Sequence, residues 1–234
     1  MDFFNSMSQG LYSTFIINDR WTLFVSGLGY TLLISLFAVL LGLVIGIAAA
    51  LCRLSKFKPV KWLAGIYIDI IRGTPTMVQV LIIYYVIFAS VHIQAWIVGF
   101  IAFGINSGAY IAEIIRGGIL SIDKGQTEAG RSLGLSGSQT MGYIVMPQAM
   151  KNILPALANE FIVLIKETAV IGMVNNVDLL GAAKQVQTMT YDFLWPLLSC
   201  AVIYYVIIKI LTIILSKIED KLRKGCLLYT SRCV

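Results

Sequence analysis

From Trp21 to Cys52 the chain carries no charged side chain. A helix crosses the hydrocarbon of a bilayer with about 20 apolar residues, so this run exceeds one span and must tilt or project. The rest of the chain agrees: 58% of residues are hydrophobic and 13% charged, where a soluble domain usually carries about 25% charged residues. That much apolar surface is kept from water only by lipid, so the chain reads as an all-α integral membrane protein. The opening residues, with Asp2 and no basic stretch, lack the form of a cleavable signal peptide. The first apolar run is therefore expected to stay in the protein.

Four more runs approach span length, giving five in all. Val60 to Ala89 is interrupted by "RGTP". Pro75 cannot donate to the carbonyl of Ile71, which predicts a bend, and Asp69 lies three residues before Arg72, where it can neutralise it. Ala95 to Ile115 contains "GINSGAY", Leu154 to Val174 contains Glu160, Lys166 and Glu167, and Phe193 to Leu215 is the last. Within the first run, Gly42 and Gly46 make a small-residue face that lets another helix approach closely. Cys52 and Cys200 sit inside apolar runs and suggest no disulfide and no metal. Glu113 precedes Arg116 by three residues, the spacing of a structural pair. His92, in "ASVHIQA", reads as a solvated turn residue, and Tyr84, Tyr85, Tyr204 and Tyr205 read as interface anchors. Lys209, near a helix end, can snorkel.

Lys and Arg residues set the orientation. Arg53, Lys56, Lys58, Lys61, Arg116, Lys124, Arg131, Lys151, Lys217, Lys221, Arg223 and Lys224 fall on one side, against Arg20 and Lys184 on the other. The amino terminus is expected outside and the carboxyl terminus in the cytoplasm. That places "GQTEAGRSLGLSGSQTMGYIVMPQAM", between the third and fourth runs, at the cytoplasmic surface. Its punctuation predicts helix, tight turn, helix. Asp123 and Gln126 start the first piece and Gly134 suits its left-handed stop. Ser136 and Gln139 form a capping box, and Pro147 is expected to close the second piece. Glu128 and Arg131 share a face with Ala129, Gly130 and Gly134, small residues that permit close approach by another surface.

"EAGRSLGLSGSQTMGYIVMPQA" closely resembles the EAA loop of ABC-importer permeases, with Glu128, Gly134 and Pro147 in matching spacing. "RGTPTMVQVL", "NSGAYIAEIIRGGI" and "LANEFIVLIKETAVIG" narrow the resemblance to the permeases for polar amino acids, over roughly Gly27 to Lys221. Gly130 stands where that family usually has a second Ala, which suggests a looser first coupling helix. The resemblance implies a MetI-like fold of five transmembrane helices, with a cytoplasmic helix-turn-helix coupling loop between helices 3 and 4. Glu128, Ala129 and Gly134 would then dock on a separate ATP-binding subunit. It also implies an extracytoplasmic amino-acid-binding protein, and a second permease subunit, identical or homologous, completing the pathway. The chain holds no G-x-x-x-x-G-K-[ST] sequence, so no P-loop is expected in it. No cofactor, metal, nucleic-acid partner or enzymatic activity of its own is expected, and the setting is the bacterial inner membrane.

A charged group inside a span faces a partner or a water-filled cavity. Glu160, with Asn106 and the backbone at Gly108 and Ala109 at similar depth, is the expected substrate site. A carboxylate there receives an ammonium group or a cationic side chain. The competing reading is a structural ion pair with Lys166 or across a dimer interface. A secondary transporter or channel without an ATPase is the alternative function, but it leaves the capped loop without a task. The permease domain is expected over residues 1–225. Residues 226–234, "CLLYTSRCV", back-translate into an inverted repeat and are expected to be a sequencing-adapter artefact.

Overall fold

The computed structural model describes residues 2–175 and 178–230. Every regular element among them is helical. An amphipathic α1 (Asp2–Phe15) packs at Gly10 on the indole of Trp195. Positive φ at Asn18 and Asp19 then turns the chain into α2 (Trp21–Leu54). At about 1.5 Å per residue, the 34 residues of α2 reach some 50 Å, well beyond a hydrocarbon core of about 30 Å.

α2 packs along α5 (Ala95–Leu120). A Cβ on Gly42 would lie 3.1 Å from Ser107 Cβ, and one on Gly46 would lie 2.5 Å from Ile111 Cγ2. The small-residue face therefore serves close helix approach, as its spacing predicts. Ile34 and Ala38 meet Ala102, Phe103, Leu164 and Ile171 in the largest buried cluster.

The second apolar run departs from expectation. It is two helices, α3 (Lys58–Gly73) and α4 (Thr76–Ile82), the latter running into a π-turn at Ile83–Ile87. They are bent by 106° at a full break. Proline forces the residue before it out of the helical region: Thr74 sits at φ −122°, ψ 148° and Pro75 is itself extended. Two consecutive extended residues end a helix rather than bend it. Asp69 does not neutralise Arg72 either. Arg72, in the last turn before the break, reaches Glu113 of α5 at 3.7 Å, while Asp69 stays exposed.

After α5 come α6 (Lys124–Ser132) and α7 (Gly137–Thr140). A π-turn at Met141–Val145 joins α7 to α8 (Met146–Glu167). Pro147 thus opens α8 instead of closing the second piece. Met146 N–H bonds back five residues to Met141, and this wider turn relieves the ring clash that a proline makes with the preceding α-turn. A 3-10 stretch, Thr168–Met173, leads towards α9 (Leu179–Thr190), and α10 (Leu194–Thr230) closes the described chain. Among the described residues three helices are long and apolar enough to cross a membrane: Ile17–Leu54, Ala95–Leu120 and Leu194–Asp220. Counting the bent pair as one span makes four.

α9 went unforeseen, though Asp178 ahead of Leu179, Ala182, Ala183 and Val186 is a helix-start signal. Its carboxylate accepts from Leu180 N (3.3 Å) and Gly181 N (2.9 Å), and Tyr204 Oη donates to it at 3.4 Å. Tyr204, half-buried, is therefore a partner of the cap rather than an interface anchor. Tyr84 is also engaged, accepting from Asn175 at 3.3 Å. Tyr85 and Tyr205 are exposed.

Candidate functional site

Two polar regions stand out, one inside the helix bundle and one on the α6–α7 turn. The inner region forms around the break in α3–α4. An ended helix leaves carbonyls without partners, and Gln79, one turn into α4, supplies them. Its Nε2 lies 2.7 Å from Ile71 O, 3.1 Å from Thr74 O and 2.7 Å from Thr74 Oγ1. One amide nitrogen has two hydrogens, so these three acceptors share them. Gln79 Oε1 accepts from Asn106 Nδ2 at 2.8 Å, and the neighbouring Ser107 donates to Glu160 Oε1 at 3.1 Å. Broken α3–α4, mid-α5 and α8 are thereby joined through side chains.

Asn106 is 1% exposed, whereas Glu160 is only half-buried. Glu167 lies two turns along α8 and is also half-buried, while Lys166 points out and is exposed. Among the described residues neither Glu160 nor Lys166 is in an ion pair, so the structural pair between them is not formed. Gly108 and Ala109 pack towards α2 and α3. A Cβ on Gly108 would lie 2.8 Å from both Ile45 Cγ2 and Tyr67 Oη, and Ala109 is buried with Ala49, Ala50 and Ile68. These two residues set how closely α5 lies to α2 and α3. Gln79 was missed by sequence reading. Its only signal is a polar residue four positions after Pro75 in an apolar stretch.

Below this region Glu113 binds Arg116 through two hydrogen bonds, 2.9 Å and 2.7 Å. The spacing of the two residues predicts this pair. Arg72 adds the 3.7 Å contact and stacks over Tyr110, 5.4 Å from its ring centroid.

The α6–α7 turn is closed by its own backbone. Asp123 caps α6, accepting from Gly125 N at 2.6 Å. Gly134, at φ +86°, ends it: Gly134 N donates to Arg131 O (3.1 Å) and Leu135 N to Gly130 O (3.1 Å). This pair of bonds satisfies the last carbonyls of a helix. Ser136 and Gln139 form the reciprocal capping box. Gly130 lies where α6 meets the segment after it. It is buried, and an added Cβ would lie 2.7 Å from Ile144 Cδ1 and 2.9 Å from Thr140 Cγ2. Its missing side chain lets α6 settle on the helix that follows. The outer side is unspent: Glu128, Ala129, Arg131 and Gly134 are exposed, as are Leu133 (82%) and Tyr143 (75%).

Residues 42–224 match the family described as the binding-protein-dependent transport system inner membrane component. The chain belongs to this family. Among relatives of this inner membrane component is the arginine transport system permease protein ArtQ of Bacillus subtilis. It is 40% identical over 203 residues, covering 86% of this chain and 93% of the relative. The putative glutamine transport system permease protein GlnP of Rickettsia typhi is 42% identical over 200 residues, 85% of this chain and 92% of that one. A solved structure, described as an amino acid ABC transporter with histidines, superposes with a TM-score of 0.83 at 43% identity, covering 88% of this chain and 96% of its own. The inward-facing MetNI methionine ABC transporter shares the fold alone, with a TM-score of 0.71 at 18% identity over 86% of this chain and 97% of its own. The chain is a membrane-embedded, multi-pass permease with the ABC-importer permease fold, as the resemblance in its loop and spans implies.

Proposed function

We propose that this permease forms the translocation pathway of an ATP-driven importer of polar amino acids and is driven by a separate ATP-binding subunit. The observation that carries the coupling is the α6–α7 turn: a small body braced from within, whose outer face leaves Leu133, Tyr143 and Glu128 exposed. A turn of this kind transmits force when another protein seats on it, with Glu128, Ala129 and Gly134 at the contact. The substrate class rests on relatives and a solved structure named for amino acids. Glu160, half-buried beside Ser107, is the proposed receptor for an ammonium or cationic side chain, with Asn106 next to it on α5. Gly108 and Ala109 enter the site at one remove, by fixing the position of α5. An extracytoplasmic binding protein delivers the amino acid, and a second permease subunit completes the pathway in the bilayer.

In this reading α8, with its 3-10 extension, is the fifth span beside the three long helices and the bent pair, and α6–α7 is the helix-turn-helix coupling loop. The amino terminus lies outside, the carboxyl terminus lies in the cytoplasm, and the membrane is the bacterial inner membrane. The permease domain is residues 1–225. Residues 226–234 stay outside it as an adapter artefact, a proposal that resequencing across Gly225 tests; α10 continues to Thr230, and 231–234 lie outside the described residues.

Copurification tests the function. Wild-type permease retains a P-loop ATPase, and Glu128→Lys or Gly134→Asp loses it while the permease stays in the membrane. Undiminished ATPase and transport in both variants overturns the docking. A wild type that transports without any ATPase is instead a secondary carrier or a channel. Cysteine labelling in intact cells tests the orientation: position 18 reacts with an impermeant reagent, and positions 56 and 131 do not.

A further inference from the structure

Where the spans Ile17–Leu54 and Ala95–Leu120 end together, a cavity of about 330 Å³ is lined by Arg53, Leu54, Lys61, Arg116 and Leu120. Three of those five residues are cationic. The neighbouring carboxylate, Glu113, has both oxygens engaged by Arg116 and one also approached by Arg72. Arg53 is in a different position. Among the described residues it forms no ion pair, and its Nε is buried with no hydrogen-bond partner. The guanidinium is turned in against α3, where a Cβ on Gly65 would lie 2.8 Å from its Nη1. Buried polar nitrogens are nearly always satisfied, and leaving one unmet costs free energy. An anion seated in the cavity pairs with the rest of this guanidinium, which no carboxylate among the described residues meets.

The surroundings say which anion. The cavity lies at the depth where two spans stop, on the side that carries most Lys and Arg residues. Lys56 and Lys58 occupy the adjoining turn. Basic pockets between transmembrane helices at this depth receive lipid headgroups. Around it the protein offers apolar surface: Leu51 and Leu120 are exposed, and Trp62, 66% exposed, stands where interfacial aromatic residues collect. On the seam between α2 and α3, an apolar groove of about 560 Å³ runs along Val44 to Cys52 of α2 against Leu63 and Tyr67 of α3.

We propose that this cavity binds the phosphate of an anionic phospholipid, with Arg53 and Lys61 as donors and Arg116, held by Glu113, adding charge. The acyl chains lie on the apolar surface of α2 and α3. The site is distinct from the Glu160 region and from the α6–α7 turn, so it stands whatever amino acid is carried.

The test is lipid binding to the purified permease, with its ATPase where that copurifies, by native mass spectrometry. Phosphatidylglycerol is compared with phosphatidylcholine for wild type, Arg53→Gln, Lys61→Gln and, as control, Lys56→Gln. The wild type prefers phosphatidylglycerol. Each cavity substitution lowers that preference about fivefold, the worth of one basic residue near an anionic surface, and Lys56→Gln lowers it less. Arg53→Lys, which keeps the charge, retains more of the preference than Arg53→Gln. If Arg53→Gln does not fold, Lys61→Gln carries the same test from a position exposed on α3. Equal binding of the two lipids by wild type, or an unchanged preference in both cavity variants, overturns the proposal. Inorganic phosphate that stabilises the wild type, loses that effect in Arg53→Gln and displaces phosphatidylglycerol without regard to its acyl chains assigns the cavity to a soluble anion and overturns the lipid. Loss of the ATPase from Arg53→Gln with lipid preference intact makes the cavity a protein contact, which overturns it equally.

Discussion

In the α6–α7 turn the capping and closing hydrogen bonds join residues two to five apart, from Asp123 with Gly125 to Leu135 with Gly130, and one exposed bond, Gln148 to Gln126, reaches α8. In the helix bundle, Asn106 meets Gln79 across 27 residues, Tyr67 meets Ile105 across 38, and Ser107 meets Glu160 across 53. The turn is complete in itself, so its outer face is free to bind. The inner region has no such completeness. Each polar group there is satisfied by a different helix, and moving one helix against another changes which groups face the pathway. A transporter needs both arrangements: a stiff handle to receive a push, and an interior whose contacts can be exchanged.

The comparison breaks first at Gln79. Replacing it with leucine leaves the Ile71 and Thr74 carbonyls and the Asn106 amide without their partner. Thr74 is exposed and Ile71 and Asn106 are not; an unsatisfied buried group costs about 1–3 kcal/mol, so with these two Gln79→Leu is expected to lower stability by roughly 2 kcal/mol, read as a fall in the thermal midpoint of the purified permease. Adding Asn106→Leu removes one orphan and recovers part of the loss, because residues in one hydrogen-bond network do not add. Strictly additive losses show that the two amides are independent and that the inner region is not a network.

Glu160→Gln is the next largest. Glutamine keeps an oxygen for the Ser107 hydroxyl, so the fold and the ATPase contact persist. What disappears is the charge. A hydrogen bond to a charged partner is worth about 1.5–3 kcal/mol, so uptake of cationic amino acids is expected to fall about tenfold or more while neutral ones lose less. Measured uptake that falls equally for every amino acid makes Glu160 structural. Unchanged uptake removes it from the site.

Legibility in the sequence follows the same division. The capping box, the Gly134 stop, the Gly42–Gly46 contact and the Glu113–Arg116 pair depend on spacing within one helix or turn, and spacing is what a sequence displays. Gln79, the turned-in Arg53 and the Asp178–Tyr204 bond depend on which helix lies opposite, which spacing does not encode. Asp69 and Arg72 show the limit of local reading. Their spacing is correct for a pair, but the chain breaks two residues beyond Arg72, and the guanidinium takes the carboxylate that α5 offers. Pro147 was misjudged for the converse reason: it answers a packing problem, a π-turn entering α8, that the bare motif does not contain, and the close approach of Gly130 to Thr140 is likewise absent from the motif.

The smallest expected effect sharpens the comparison most. Ser136→Ala removes the acceptor for Gln139 N, a 3.2 Å bond in an exposed turn. An N-cap serine is worth about 1 kcal/mol, and here that loss is local, because the bond touches no other span. Hydrogen exchange is expected to rise at Gly137 to Thr140, with the thermal midpoint of the bundle nearly unmoved and ATPase association reduced a few-fold at most. The Gln139 carboxamide still accepts from Ser136 N at 2.8 Å, so half of the capping box survives and the turn stays formed. If exchange rises instead across α5 and α8, the turn is a structural member of the bundle and not a handle attached to it. If exchange rises only in the turn while ATPase association falls as far as it does in Gly134→Asp, the stiffness of the turn rather than its surface chemistry governs docking.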